Sequence, residues 1–237
     1  PTQGISDIKN ILAAIIGLPA ERFRIRSAEV GGGFGIRNEV YPEFLALLLA
    51  AKRSGRAVKW TGTRGETLSG DHHGRAADLS GELGIDKDGR VGAWRVEWLV
   101  NLGALCSNAG PLINTVAAPT SSAISLYQLT AVHGRHKLIF TNTTPTTAYR
   151  GAGRPNVAYL WERLVEEAAM ATGIDAIELR RRNVLRKDMF PMKTPTNSNY
   201  DSADPARLLK TALQAADWKG FGKRQRESKR HGKLRSI

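Results

Sequence analysis

Cysteine is nearly absent from this 237-residue chain, which has only Cys106. A single thiol excludes an internal disulfide framework and a multi-cysteine zinc site. No motif surrounds Cys106, so it reads as an inert thiol rather than a nucleophile, and a reducing compartment is compatible with it. Long apolar runs are missing as well. None approaches the ~20 residues needed to span a bilayer, and the N-terminus has no basic stretch leading into an apolar one. The five histidines form no ligand set by spacing. His72 and His73 are adjacent and diverge in a strand, His133 and His136 fall in an expected hairpin, and His231 lies in a basic tail. Also lacking are a Ser/His/Asp signature, a fixed-period repeat and a low-complexity segment. The chain opens at Pro1 without an initiator methionine, and the expectation is a piece of a longer polypeptide.

What is present is an ordinary globular composition, 41% hydrophobic and 24% charged, enough for one large domain or two small ones. The charge is less even, with 35 Lys and Arg against 22 Asp and Glu for a net +13. Such a balance invites a nucleic-acid reading. Its distribution works against that: from Lys219 onward there are eight basic residues and one acid, Glu227, so +7 of the charge sits in the last stretch. That stretch reads as a solvated arm or an amphipathic segment of a subunit surface.

Periodicity gives a mixed pattern of helices and antiparallel hairpins rather than a regular βαβ wind. Ser6 to Gly17 has helical spacing, with Ser6 as cap and Gly17 as stop. Residues 23–30, FRIRSAEV, alternate like a strand, and so more briefly do residues 57–62, AVKWTG. Tyr41 to Ser54 predicts an apolar helix ended by Gly55. Ala76 to Cys106 predicts a long hairpin turning at Asp86 to Gly89, and residues 107–114 a loop bearing glycine and serine. Another strand or hairpin is expected over 128–142. Arg154 and Pro155 open a helix to about Thr172 that buries Val157, Leu160, Leu164 and Ala168. Further helices are expected over 174–185 and 205–216.

Two glycine-bearing stretches invite chemistry. GGGFG, residues 31–35, follows the FRIRSAEV segment and precedes a helix. It is either a backbone surface for close approach of a ligand or a flexible turn. It lacks the third glycine of a dinucleotide fingerprint and the Lys-Ser/Thr of a phosphate loop. AYRGAGR, residues 148–154, is a phosphate cradle, a helix start, or one wall of an active site whose arginine offers a charged fork to an oxyanion, carboxylate or carbonyl.

Taken in order, Thr2-Gln3, IKNILAAIIGLPAERFRIRSAEVGGGFG, YPE and AYRGAGRPNVAYLWERLVEEAA resemble the molybdenum-binding large subunit of the xanthine dehydrogenase/aldehyde oxidase family, its carbon monoxide dehydrogenase-like members nearest. The resemblance implies an α+β fold of molybdopterin-binding domains, with mixed sheets, antiparallel hairpins and packed helices. It also implies an internal fragment: residues 1–144 as a first molybdopterin-binding region, 145–218 as the active-site arginine loop and a helical segment, and 219–237 as a basic tail that begins a second region. By the same resemblance Gln3, Gly33, Phe34, Gly35 and Arg150 bind the cofactor, and Arg150 is catalytic. No residue ligates the metal. The implied cofactor is molybdenum-molybdopterin cytosine dinucleotide, with iron-sulfur clusters and FAD on partners.

The implied reaction oxidises a carbon centre of a small molecule (an aldehyde, an N-heterocycle or carbon monoxide) with oxygen derived from water. The implied partners are an iron-sulfur small subunit and an FAD-binding medium subunit, in a cytoplasmic dimer of heterotrimers with no nucleic acid and no membrane span. Two departures from the family pattern stand out. The cysteine that holds copper in carbon monoxide dehydrogenases is Gly151 here, and the substrate-contacting glutamate of xanthine-oxidising members is Asn38, followed by Glu39. The family's glutamate base falls beyond this chain. The alternatives are a basic nucleic-acid-binding module, for which no aromatic-basic stacking motif is present, and a non-catalytic assembly subunit of the same fold.

Overall fold

The computed structural model describes residues 2–107, 109–110 and 125–236. The chain divides into two compact units. The first comprises Pro1–Ser80, Val96–Ala123 and Gly134–Leu160, and the second Gly81–Arg95, Ile124–His133 and Trp161–Ile237.

In the first unit, α1 (Ile5–Ile16) buries Ile8, Leu12 and Ala13, and ends where Gly17 takes a left-handed φ of 74° that returns its N–H to the Ala13 carbonyl. Ser6 is not its cap. The helix begins one residue earlier, after Gly4, and no side chain caps it. The entry is fixed by tertiary bonds instead, since the Arg37 carbonyl accepts from both the Gln3 N–H (3.2 Å) and the Thr2 hydroxyl (2.9 Å). Residues 23–30 lie outside any strand, and so do residues 57–62. Alternation there marks which side chains are covered, while a strand also needs a neighbouring backbone to bond.

Helix α2 (Pro42–Ser54) starts on Pro42, whose missing N–H costs nothing at the first turn, and stops at Gly55. Helix α3 (Arg64–Gly70) was not expected from periodicity. A capping box makes it: Thr63 Oγ1 accepts the Glu66 N–H at 3.2 Å, and Glu66 accepts the Thr63 N–H at 2.7 Å.

The sheet runs β1 (Ala77–Ile85), β2 (Val91–Gly103), β3 (Ala131–Phe140), with β2 central, and each strand contributes residues to both units. The β1–β2 turn is tied by the Asp86 N–H to the Arg90 carbonyl at 3.0 Å, with Gly89 at φ 75°. Along β2 the residues Trp94, Val96, Trp98, Val100 and Leu102 are buried at every second position, so one face of the central strand is core. Of the expected loop over 107–114, only Ser107, Ala109 and Gly110 lie within the described residues.

In the second unit, α4 (Arg154–Thr172) contributes Trp161, which is fully buried. Trp94 meets it edge-on at 5.3 Å, and Tyr127 lies against it at 5.2 Å. Val165, Ala168 and Ala169 continue the buried stripe, while Val157 and Leu160 belong to the first unit's share of the helix; Leu164 is half-buried. Asp175 caps α5 (Ala176–Asn183) by accepting from the Ile177 and Glu178 N–H groups. From the end of α5, buried Asn183 donates to the Gly89 carbonyl at 2.7 Å and accepts the Val91 N–H at 2.8 Å. That side chain satisfies a turn backbone that water cannot reach. A short ladder of β4 (Met192–Lys193) and β5 (Asn199–Tyr200) follows, then α6 (Pro205–Ala215), capped by Asp204. The basic stretch after Lys219 folds mainly as a helix, α7 (Phe221–Arg230).

Candidate functional site

The first unit holds a cavity of about 660 Å³ formed where three segments meet: Gln3 ahead of α1, the loop Gly32–Gly35, and residues 148–154 leading into α4. The backbone of each segment is shaped for the meeting. Gly35 has φ 93°, and a Cβ there would sit 2.4 Å from the Ala148 carbonyl oxygen, so only glycine lets the loops touch. A Cβ on Gly33 would fall 1.8 Å from Gln3 Oε1. Space left by that missing side chain is where the Gln3 amide lies.

Hydrogen bonds then lock the segments together. Gln3 Oε1 accepts the Gly35 N–H at 3.2 Å, and the Phe34 carbonyl accepts the Arg150 N–H at 2.9 Å. With its oxygen engaged, the Gln3 amide has its Nε2 hydrogens to offer a ligand. Phe34 adopts φ 52°, unusual for a residue with a Cβ, and remains 47% exposed at the cavity wall. Thus Gln3, Gly33, Phe34, Gly35 and Arg150 all line one cavity.

Glu39 does not line it. It is buried, and it accepts from the Thr147 hydroxyl and from the Ala109 N–H at 3.3 Å. A buried carboxylate thereby ties the chain after GGGFG to the residue three before Arg150. Asn38 closes a tight turn through its N–H to the Gly35 carbonyl at 3.1 Å.

Three further residues were not singled out from sequence. Tyr149 and Arg154 line the cavity. Arg75 stands behind Tyr149, its guanidinium 4.4 Å above the ring centroid, and donates to the Arg150 carbonyl. The arginine-plus-glycine composition of residues 148–154 was a usable signal for Arg154. For Arg75 there was none, because its partners are 75 residues away.

Beside these loops His72 stacks on Tyr41 at 4.8 Å, and the Tyr41 hydroxyl donates to Asp71. Burial, followed by the bond to Asp71, pushes the Tyr41 phenol far above its usual range. Burial also lowers His72, against the opposing pull of Glu39, Asp71 and Glu43. A neutral imidazole packed on a protonated phenol is a supporting wall and has no proton to exchange near neutral pH. Cys106 is free and exposed, away from the cavity lining.

The lining combines two arginines, an amide and bare glycine backbone, and among the described residues no carboxylate lines it. Among the described residues no group of three or more His, Cys, Asp or Glu is placed to hold a metal ion. Such a wall suits an anionic group with its own metal ligands. The comparison with known families names that group: a molybdopterin cofactor-binding domain matches residues 1–184. The chain belongs to the molybdopterin cofactor-binding domain family.

Its relatives in this family are molybdenum-dependent oxidoreductases, several of them subunits of larger enzymes. The 6-hydroxypseudooxynicotine dehydrogenase complex subunit gamma of Paenarthrobacter nicotinovorans is 31% identical over 97% of this chain and 29% of that protein. The carbon monoxide dehydrogenase large chain of Hydrogenophaga pseudoflava is 32% identical over 89% of this chain and 26% of that one. In structure, quinoline 2-oxidoreductase from Pseudomonas putida 86 superposes with a TM-score of 0.89 at 27% identity, covering 98% of this chain and 29% of that one. The mixed α+β fold is shared with these relatives, and the chain spans under a third of their length.

The cavity fits molybdopterin on two counts. Donors and cations would face a group that carries its own anionic sulfur and phosphate atoms, and the wall includes the side-chain-free Gly32 and Gly33.

Proposed function

We propose that this chain forms one wall of a molybdenum hydroxylase active site and holds part of a molybdopterin cytosine dinucleotide. The observation that carries the reading is the convergence of Gln3, the Gly32–Gly35 loop and Arg150 on one cavity, in a chain whose residues 1–184 match the cofactor-binding family. In this reading residues 1–144 are the first molybdopterin-binding region, 145–218 carry the arginine loop with its helical support, and 219–237 begin a second region.

When bound, the cofactor supplies the two-electron chemistry that oxidises a carbon centre with oxygen from water. The protein's own residues supply position and charge. Gln3, anchored through its oxygen to Gly35, would offer its Nε2 hydrogens to the bound cofactor without competing as a metal ligand. Gly33 and Gly35, by lacking side chains, let Gln3 and the Ala148 backbone close on the loop that would meet the cofactor. Phe34 covers that loop with an apolar face that limits water. Arg150, exposed on a backbone bonded to Phe34, orients the substrate and stabilises negative charge that develops on it. Iron-sulfur and FAD partners would carry the electrons away.

Gly151 narrows the substrate. It holds φ 89°, and a Cβ there would approach Pro155 Cγ to 2.9 Å, so a copper-bearing cysteine would be strained at this position. An aldehyde or N-heterocycle therefore fits better than copper-dependent carbon monoxide oxidation. Quinoline, named in the superposed structure, is an aromatic N-heterocycle.

The test is to express the polypeptide in its natural context in a molybdenum-replete host, then measure molybdenum by mass spectrometry and oxidised pterin by fluorescence. About one of each per chain is expected; a folded protein carrying neither refutes the reading. With the cofactor loaded, Arg150→Met should lower turnover of a responsive aldehyde or N-heterocycle on the order of 10²-fold at unchanged molybdenum content. Loss of metal in that variant would make Arg150 a cofactor ligand instead.

A further inference from the structure

We propose that Arg75 and Tyr149 form a clamp that sets the position of Arg150. The inference deepens the proposed cradle, since Arg150 is the residue being positioned, and it makes Arg75 a positioning residue that touches neither substrate nor cofactor.

Four observations converge on the clamp. The Arg75 guanidinium lies 4.4 Å over the Tyr149 ring and donates from Nη2 to the carbonyl oxygen of Arg150, so one group grips two successive residues of the loop. Arg75 holds φ 59°, a conformation that a residue with a Cβ adopts only when its surroundings demand it. Gly74 is the one residue type that permits the contact, because a Cβ there would meet Tyr149 Cβ at 2.5 Å. The register is fixed just before the clamp: the His73 N–H bonds the Pro145 carbonyl at 3.0 Å, and the His73 carbonyl accepts the Thr147 N–H at 2.8 Å.

This grip acts from one side of the loop. On the other, the Arg150 N–H is held by the Phe34 carbonyl at 2.9 Å. Arg150 therefore has both ends of its backbone fixed, from two different segments, while its side chain is left at the cavity. A planar fork suits the task, as it stacks flat on an aromatic face and still directs an N–H sideways to a carbonyl. Arg75 Nε is buried with no acceptor among the described residues, a cost tolerated at a position chosen for its grip.

The test is amide hydrogen exchange on the chain without cofactor. The reporter is the Arg150 amide, and the control is the Val91 amide, bonded to buried Asn183 at 2.8 Å. Arg75→Met should speed exchange at Arg150 on the order of tenfold and leave Val91 unchanged. Arg75→Lys, which keeps a cation and a donor, should restore most of the protection. The double variant Arg75→Met with Tyr149→Leu should exchange no faster than Arg75→Met alone, as two halves of one clamp are not additive.

Wild-type exchange at Arg150 in Arg75→Met, or simple additivity in the double variant, overturns the proposal. If Arg75→Met also exposes Val91, the decision passes to Tyr149: opening at Arg150 in Tyr149→Leu but not in Tyr149→Phe supports the clamp, and identical behaviour of the two overturns it. Failure of the molybdopterin reading would appear as absent metal and pterin, and would leave these exchange rates untouched.

Discussion

The surroundings of Trp161 and those of the cavity are built on opposite plans. Trp161 lies in a helix and Trp94 in a strand, and the packing is by large buried aromatics, Trp94 and Tyr127 against Trp161. Charged groups at its edge are paired, as when Tyr127 donates to Glu162 at 2.8 Å and Arg180 bridges Glu162 and Glu166, each at 2.8 Å, while the indole Nε1 atoms of Trp94 and Trp161 have no acceptor among the described residues. Around the cavity the side chains are small or exposed, and the backbone takes unusual conformations. Phe34, Arg75 and Ala152 are three of the six non-glycine residues with positive φ among those described, and all three belong to the loops that shape it. The difference separates two uses of sequence. One region uses side-chain volume to gain stability, and the other uses backbone shape to place a few donors.

The sharpest way to break that comparison is at its stable end. Trp161→Ala should cost about 3–5 kcal/mol in chemical denaturation, the range for emptying an aromatic from a packed core. Trp161→Phe should recover most of it, because the indole Nε1 has no acceptor among the described residues whose loss would count. Arg150→Met, at an exposed side chain, should stay within about 0.5 kcal/mol. If Arg150→Met proved the more damaging of the two, stability would reside in the loops and the contrast would collapse.

Glycine substitutions test the other end. Gly35 and Gly173 both have positive φ, 93° and 71°, but a Cβ on Gly173 would meet nothing within 4 Å while one on Gly35 meets the Ala148 carbonyl. Gly173→Ala should therefore cost about 1 kcal/mol, the backbone term alone. Gly35→Ala adds the collision and should reach about 2–3 kcal/mol, with faster exchange at the Arg150 amide as the loops part. Equal costs would mean that the loops are not in the close contact on which the proposed cradle depends.

Legibility in the sequence follows the same division. Helices α1, α2 and α4 could be read because apolar spacing, Pro at the first turn and Gly at the stop are local properties. Helix α3 could have been read from Thr63 and Glu66, whose three-residue spacing is a capping signal, but its side chains carry no apolar stripe. Residues 23–30 misled, since their alternation is local while a strand partner is not. That Gln3, Gly33, Phe34, Gly35 and Arg150 would meet at one cavity was legible only through family resemblance. Nothing near residue 75 indicates Tyr149, and nothing near residue 39 indicates that its carboxylate meets Thr147, 108 residues later. Those contacts depend on how the chain returns, which composition and periodicity do not encode.

The smallest expected effect concerns the wall behind the loops. His72 is held below its ordinary value of 6.5, chiefly by burial and slightly by His73, while Glu39, Asp71 and Glu43 oppose the shift. A histidine lowered in the folded state binds its proton more readily when unfolded. Below pH 6.5 the unfolded chain therefore takes up more protons, so this contribution is complete above 6.5 and is lost as pH falls toward the folded value. His136, lowered by burial beside Trp98, has the same sign. Unfolding free energy measured by urea titration should decline between pH 7.5 and pH 5.5, a window above the range where ordinary carboxylates protonate. His72→Gln should flatten part of that decline and His136→Gln another part. Because His72 stacks on Tyr41 beside the loops, its protonation should also quicken amide exchange at Thr146 and Thr147, whereas protonation of His136 in the sheet should not. An acid slope untouched by His72→Gln would mean that the wall is wet, and that the loops it supports are less rigidly backed than their hydrogen bonds imply.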